Sequence, residues 1–367
     1  MSRKIRTHSP DKIFLLLAGS LLIIGLAFLS SSSTPLSQIK YNNPFYFFKH
    51  QIFFGLIPGI IGFFVGYFLY YRKWIKIAIP LFLISLVLLA LVFTPLGITK
   101  KGATRWLNLF GFSFQPSEFA KIAFIIYLAA WLSAKERKKF FGGYLPFLFV
   151  SSLLALLLIK EPATGMTILI FGTALLLYFF SQGKLSYIII TVLFGGIIVG
   201  YLMISTPYRW KRVQAFLNPD IDPLGYSYQI KQNLIALGSG GWFGRGFGKS
   251  LLKEKFIPEV IGDSIFAVIG EETGFVGATI IILLYFLFLL RGLRIASQTP
   301  DSFGKLLVVG FVTIISLEAI INIFSVASII PFTGLPLPLI SYGGTSLATT
   351  LTMIGIIANV SKHTKKL

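Results

Sequence analysis

The chain has 367 residues, 55% hydrophobic and only 13% charged, where a soluble domain carries about 25% charged residues. It has no cysteine, which excludes disulfides and thiolate metal sites, and its three histidines, His8, His50 and His363, lie outside the apolar runs, which argues against a histidine metal cage. A net charge of +20 could suit nucleic acid, but beside so much apolar sequence it reads as basic loops facing anionic lipid, so no nucleic-acid partner is expected.

Apolar runs of about 17–25 residues recur along the chain, each long enough to cross about 30 Å of hydrocarbon as a helix. Spans are expected at 13–29, 51–71, 74–94, 116–133, 145–159, 166–181, 185–205, 263–290, 304–327 and 346–360, the fifth and sixth being short. Ten spans use most of the length, so residues 1–367 read as a single all-α, polytopic membrane domain. The runs are continuous rather than alternating, which argues against a β-barrel. The first run is longer than the roughly 7–15-residue core of a signal peptide and no A-x-A site follows, so it is expected to remain as the first helix.

Orientation follows from Lys and Arg in the short loops. With both termini cytoplasmic, the inner segments hold 18 basic residues, including Arg72, Lys135, Arg137, Lys138, Lys139, Arg291 and Arg294; the short outer loops hold 6. Segment 206–262, between the seventh and eighth spans, is then one large extracytoplasmic loop. Of the thirteen acidic residues, only Asp11, Glu136 and Asp301 fall on the inner side. Carboxylates within or beside spans are expensive and are functional candidates, so the outer face is where chemistry is expected.

Several constellations lie on that side. In Gly102-Ala103-Thr104-Arg105-Trp106-Leu107, an arginine adjoins a tryptophan; it is either an interfacial anchor or a pyrophosphate or sugar contact. In Gln115-Pro116-Ser117-Glu118-Phe119-Ala120-Lys121, Pro116 and Ser117 suit a helix start, and Glu118 and Lys121 can pair at i,i+3. Such a pair either is structural or holds a substrate pocket open.

The large loop opens Tyr208-Arg209-Trp210-Lys211-Arg212, and its apolar residues at 230, 234 and 237 suggest one face of a helix lying in the interface. The stretch from Gly238 to Ser250 ends like a P-loop but has Phe243 where that motif needs glycine. It reads as a flexible loop, or as a backbone nest that with Arg245 and Lys249 binds an anionic headgroup. Asp263 falls where this loop becomes helix, as a cap or as a general base at a wet mouth. Glu271 lies about two turns further, and Glu272 points nearly opposite, towards another helix. Segment 331–346 is apolar but broken by proline and glycine, which at membrane depth requires protein or a wet cavity around it, so it is expected to be re-entrant and to line the site.

In this order, the pieces Gly102–Leu107, Gln115–Lys121, Tyr228–Ser250, Pro258–Gly274 and Thr333–Ser346 resemble the SEDS family (shape, elongation, division and sporulation) over nearly the whole chain. The glycine-rich stretch looks closer to the division and sporulation branches than to the elongation branch. The resemblance implies a peptidoglycan glycosyltransferase of the bacterial cytoplasmic membrane. The implied substrate is lipid II, a disaccharide-pentapeptide on undecaprenyl pyrophosphate. A class B penicillin-binding protein (a transpeptidase) and division or elongation proteins are the implied partners. The family's proposed catalytic aspartate falls on Asp263 of Pro258-Glu259-Val260-Ile261-Gly262-Asp263, its Arg-Trp arginine on Arg105, and its Q-P-S-E-x-x-K pair on Glu118 and Lys121.

Substrate-binding roles are expected for Arg105, Arg209, Arg212, Arg245, Lys249, Glu259, Ser341, Thr345 and Ser346, and auxiliary roles for Glu118, Lys121, Glu161, Glu271 and Glu318. A divalent cation (Mg or Mn) could assist at the pyrophosphate. Five positions depart from the family pattern: Ile261 and Gly262 stand where His-Thr or His-Asn usually precedes the aspartate, Ser264 where Phe follows it, Ala163 where an aspartate is expected after Glu161-Pro162, and Glu318 where a glutamine is expected. The rival readings are a lipid-linked oligosaccharide flippase, which should carry a midplane cavity and internal repeats, and a non-catalytic scaffold for the transpeptidase.

Overall fold

A computed structural model of the protein describes residues 8–100, 103–109, 112–134, 143–218, 220, 225–251, 253 and 259–365. Of the residues singled out above, Gly102, Lys135, Glu136, Arg137, Lys138, Lys139 and Pro258 lie outside them.

Every expected span coincides with a helix. These are α1 (Lys12–Tyr41), α2 (Tyr46–Phe68), α3 (Lys73–Leu91), α4 (Pro116–Ser133), α5 (Tyr144–Lys160), α6 (Thr164–Phe180) and α7 (Leu185–Ser205). Two shorter helices follow, α8 (Pro207–Leu217) and α9 (Tyr226–Ser239), then α10 (Ile265–Gln298), α11 (Ser302–Val326) and α12 (Gly344–Ser361). Among the described residues, seven of these helices, α1, α2, α3, α7, α10, α11 and α12, are long and apolar enough to cross a membrane; α5 and α6 are shorter apolar helices.

Three features differ from the sequence expectation. α1 runs on to Tyr41, because Ser32, Ser33 and Ser37, which break the apolar run, are buried against protein rather than lipid. The segment between α3 and α4 is not helical or irregular but a three-stranded antiparallel sheet in the order β1 (Gly97–Lys100), β2 (Ala103–Leu109), β3 (Phe112–Phe114). On α9 Ile230 is buried and Leu237 packs against the core as expected, but Leu234 is 42% exposed and Asn233 takes its place on the inward face.

α11 is the central post. It is buried almost throughout and packs against α10, α4, α6 and α12. α12 lies along α2, where the backbones approach closely: a Cβ at Gly66 would come within 2.8 Å of the Ile356 amide nitrogen. α7, by contrast, is exposed along nearly its whole length. Segment 331–343 is non-helical, and Leu335, Leu337, Leu339 and Ile340 within it are buried, so the broken backbone is enclosed by protein.

Candidate active site

Asp263 ends the turn that leads into α10, where Ser264 holds the N-cap position. Three successive carbonyls of that turn are tied to later parts of the chain. Ile261 O accepts from the Tyr342 amide at 2.7 Å, Gly262 O from the Ser341 hydroxyl at 2.7 Å, and Asp263 O from the Asn322 amide nitrogen at 2.9 Å. Asn322 also donates to Leu335 O at 2.7 Å, and Ser341 accepts from the Leu337 amide at 2.8 Å. The turn is closed from its other end by Glu259, whose carbonyl accepts from the amides of Gly262 and Ser264 at 2.9 and 3.3 Å. Gly334 lies against the aspartate: its φ is +71°, and a Cβ there would sit 3.3 Å from Asp263 Oδ2.

The re-entrant segment also brings in basic residues. Arg212 of α8 donates to Phe332 O at 3.3 Å and Thr333 O at 3.5 Å. Arg209, one turn earlier, donates to Ile159 O at 3.0 Å, at the end of α5. Arg105 is on β2, where the pleat puts it on the same face as buried Ala103 and Leu107, turned inward. It donates to Glu161 O at 3.1 Å and Pro162 O at 2.5 Å. Gly165, at the start of α6, lets the backbone of Thr333 approach, since its Cβ would be 3.2 Å from Thr333 O. Arg105 and Arg209 thus hold the 159–162 corner, Arg212 and Asp263 adjoin the re-entrant segment, and the approach of Gly165 to Thr333 joins the two.

Glu161 is fully buried, and neither carboxylate oxygen has a hydrogen-bond partner among the described residues. Burial pushes its carboxyl up to about 8, with the nearby Arg105 guanidinium pulling the other way.

Deeper in the protein, Lys121 Nζ is 2.8 Å from Glu118 Oε2 and 2.7 Å from Glu318 Oε2, and all three side chains are buried. Thr349 adds a hydroxyl to Glu118 at 3.3 Å. The i,i+3 pair expected from the sequence is present, and Glu318 completes it as a third member.

The glycine-rich stretch forms a separate cluster. Its amides do form a nest, but the nest holds the chain's own carboxylates. Gly248 N and Ser250 N donate to Glu272 at 2.9 and 3.4 Å, and Leu251 N to Glu271 at 3.1 Å. Lys253 Nζ joins Glu272 to Ser31 of α1, each at 2.9 Å, and the Ser250 hydroxyl bonds Glu271. Arg245 Nε is 3.8 Å from Glu271, and the Lys249 amide closes on Gly246 O at 3.1 Å. Arg245 and Lys249 thus belong to this loop, two turns of α10 from Asp263. The stretch also serves α10's own backbone. At Gly274 (φ +67°) the helix kinks, and the amides of Arg245 and Gly246 donate to the carbonyls of Glu271 and Glu272, while those of Phe275 and Val276 donate to Gly241 and Trp242.

Of the remaining expected site residues, Thr345 accepts from the Gln115 amide at 3.3 Å and Ser346 is buried at the start of α12. Ser341, expected on substrate, spends its hydroxyl within the protein. The sequence reading missed Asn322; its one signal was an amide inside an apolar span, four residues after Glu318. Among the described residues no three His, Asp or Glu side chains converge as metal ligands, so the divalent cation has no identified set of protein ligands.

The family model described as a cell cycle protein, FTSW_RODA_SPOVE, matches residues 11–366. The chain belongs to this FtsW/RodA/SpoVE family. Among its curated relatives, the probable peptidoglycan glycosyltransferase FtsW of Trichlorobacter lovleyi is 37% identical over 368 residues, covering 100% of this chain and 96% of the relative. Stage V sporulation protein E of Bacillus subtilis is 38% identical over 364 residues, covering 97% and 98%. Among solved structures, a chain of a peptidoglycan synthase complex that coordinates polymerization and crosslinking superposes with a TM-score of 0.79 at 26% identity, covering 96% of this chain and 97% of that one. The rod shape determining protein RodA of Thermus thermophilus superposes with a TM-score of 0.72 at 25% identity, covering 97% and 98%. An FtsW/RodA/SpoVE membership makes the polytopic helical fold that of a bacterial inner-membrane protein.

Proposed function

We propose that this FtsW/RodA/SpoVE family member is a peptidoglycan glycosyltransferase that polymerises lipid II at the outer face of the cytoplasmic membrane, with Asp263 as general base. The observation that carries the assignment is the setting of Asp263: a carboxyl at a partly exposed turn, fixed through its backbone, beside a segment that an arginine also reaches. The full-length similarity to chains named as peptidoglycan glycosyltransferases supports the substrate class.

In the proposed reaction Asp263 takes the proton of the acceptor sugar's 4-hydroxyl. That oxygen attacks the anomeric carbon of the donor, whose configuration inverts, and the bond to undecaprenyl pyrophosphate breaks with its electron pair leaving on phosphate oxygen. Pyrophosphate leaves without a strong acid but needs positive charge as its own charge develops. Arg212, which donates to the re-entrant segment, and Arg105 and Arg209, which donate to the adjoining 159–162 corner, are assigned that role; no step is routed through a metal ion. Lys121, Glu118 and Glu318 are assigned a structural role, tying α4 to α11. Similarity to a chain of a peptidoglycan synthase complex supports a transpeptidase partner of the class B penicillin-binding type.

The test is polymerisation of purified lipid II, read as glycan ladders on a gel. Wild type should make strands, and Asp263→Asn should make none while unfolding at the same temperature. Strands of normal length and yield from Asp263→Asn would refute the base assignment. A folded wild type that moves lipid II across vesicles but never polymerises it would favour the transporter reading.

A further inference from the structure

The turn bearing Asp263 is fastened in an unusual way. Its carbonyls at 261, 262 and 263 each accept from a donor supplied by the last quarter of the chain: the Tyr342 amide, the Ser341 hydroxyl and the Asn322 side chain. Two of these donors are doubly engaged. Ser341 also accepts from Leu337 N, and Asn322 also donates to Leu335 O, so each clamps the turn and the re-entrant segment together. Both side chains are buried, Ser341 at 6% and Asn322 at 1% exposure. Gly334, in the same segment, lies against the aspartate's carboxyl.

We propose that Ser341 and Asn322 are positioning residues: they act through the carbonyls of Gly262 and Asp263 to hold the Asp263 carboxyl at its reacting distance, and they do not themselves bind substrate. The inference rests on the reading of Asp263 as the base. Its physical basis is that a catalytic carboxyl loses rate steeply when its backbone drifts by a fraction of an ångström, while the substrate's own contacts are unaffected. Misplacing a base removes an interaction made only in the transition state, so kcat falls at constant KM. A lost substrate contact instead raises KM.

The test is steady-state polymerisation of lipid II by Ser341→Ala and Asn322→Leu, with wild type and Asp263→Asn alongside and thermal unfolding recorded for each. Ser341→Ala is expected to lower kcat by about tenfold or more with KM within about twofold of wild type, at a nearly unchanged unfolding temperature. Asn322→Leu is expected to do the same; if it fails to fold, Ser341→Ala decides alone. A raised KM with kcat preserved would make Ser341 a substrate contact and overturn the proposal, as would wild-type values of both constants. The controls separate this outcome from failure of the parent reading: an active Asp263→Asn removes the base itself, whereas an inactive Asp263→Asn beside an unaffected Ser341→Ala removes only the clamp.

Discussion

Lys121 is fully buried with a carboxylate on either side, Glu118 from its own helix and Glu318 from α11. Removing one member of a buried ion cluster strands the others without compensation, at a cost of about 3–5 kcal/mol. Lys121→Met should therefore sharply lower the unfolding temperature in detergent, and an unchanged midpoint would contradict the cluster's role. Glu161 makes a different prediction. Its folded carboxyl is pushed up to about 8 from a usual value of 4.5, so between those values the folded protein keeps a proton that the unfolded chain has released. Its contribution to stability thus falls as pH rises through that window. Glu161→Gln has no such proton to lose and should gain on wild type in unfolding temperature as pH goes from about 5 to about 8. Parallel pH curves for the two proteins would rule this out. The place of Asp263 just before a helix start was legible in the sequence. An auxiliary role for Glu318 was expected but its partner was not legible, because Lys121 and Glu318 are 197 residues apart and meet only through the packing of α4 on α11.

The kink in α10 is the element whose logic is least local. Breaking a helix leaves backbone groups without partners, and at Gly274 the glycine-rich loop supplies them from outside the helix. Gly274→Ala would place a Cβ 2.4 Å from the Gly244 amide nitrogen at a φ of +67°, and should lower the unfolding temperature and detach the loop. Gly172 on α6 is the control, since a Cβ there meets nothing within 4 Å. Gly172→Ala should be neutral or stabilising by up to about 1 kcal/mol. If both substitutions behaved alike, the loop would not be what stabilises the kink. Hydrophobic run length located the spans well because lipid imposes one solution on an apolar run. It failed where protein replaces lipid, as at Ser32 and Ser33 of α1, and at the β-sheet, whose seven-residue central strand carries Arg105 and Asn108 among apolar neighbours.

At the scale of the whole molecule, the unequal distribution of basic residues predicts sidedness that can be measured directly. The chain has no cysteine, so a single introduced thiol reports without background. In intact cells, Asp220→Cys in the large loop should react with a membrane-impermeant maleimide, and Gln182→Cys between α6 and α7 should react only after lysis. The reverse pattern would invert the topology and place Asp263 on the wrong side for externally presented lipid II. The sequence thus conveyed the solvent and the places of the apolar helices. What it could not convey was the convergence of β2, the α5–α6 corner, α8 and the re-entrant segment, since Arg105, Arg209 and Arg212 all donate to backbone carbonyls, which leave no mark in residue type. That separation along the chain has a consequence for biogenesis. Ser341 lies 79 residues after Gly262, and Asn322 lies 59 after Asp263. At about 5–20 residues per second, translation reaches Ser341 roughly 4–16 s after the aspartate turn has been made. On the proposed assignment of Asp263 as base, a nascent chain carries its carboxyl before the setting that aims it exists, and activity waits until the last two helices, α11 and α12, are in place.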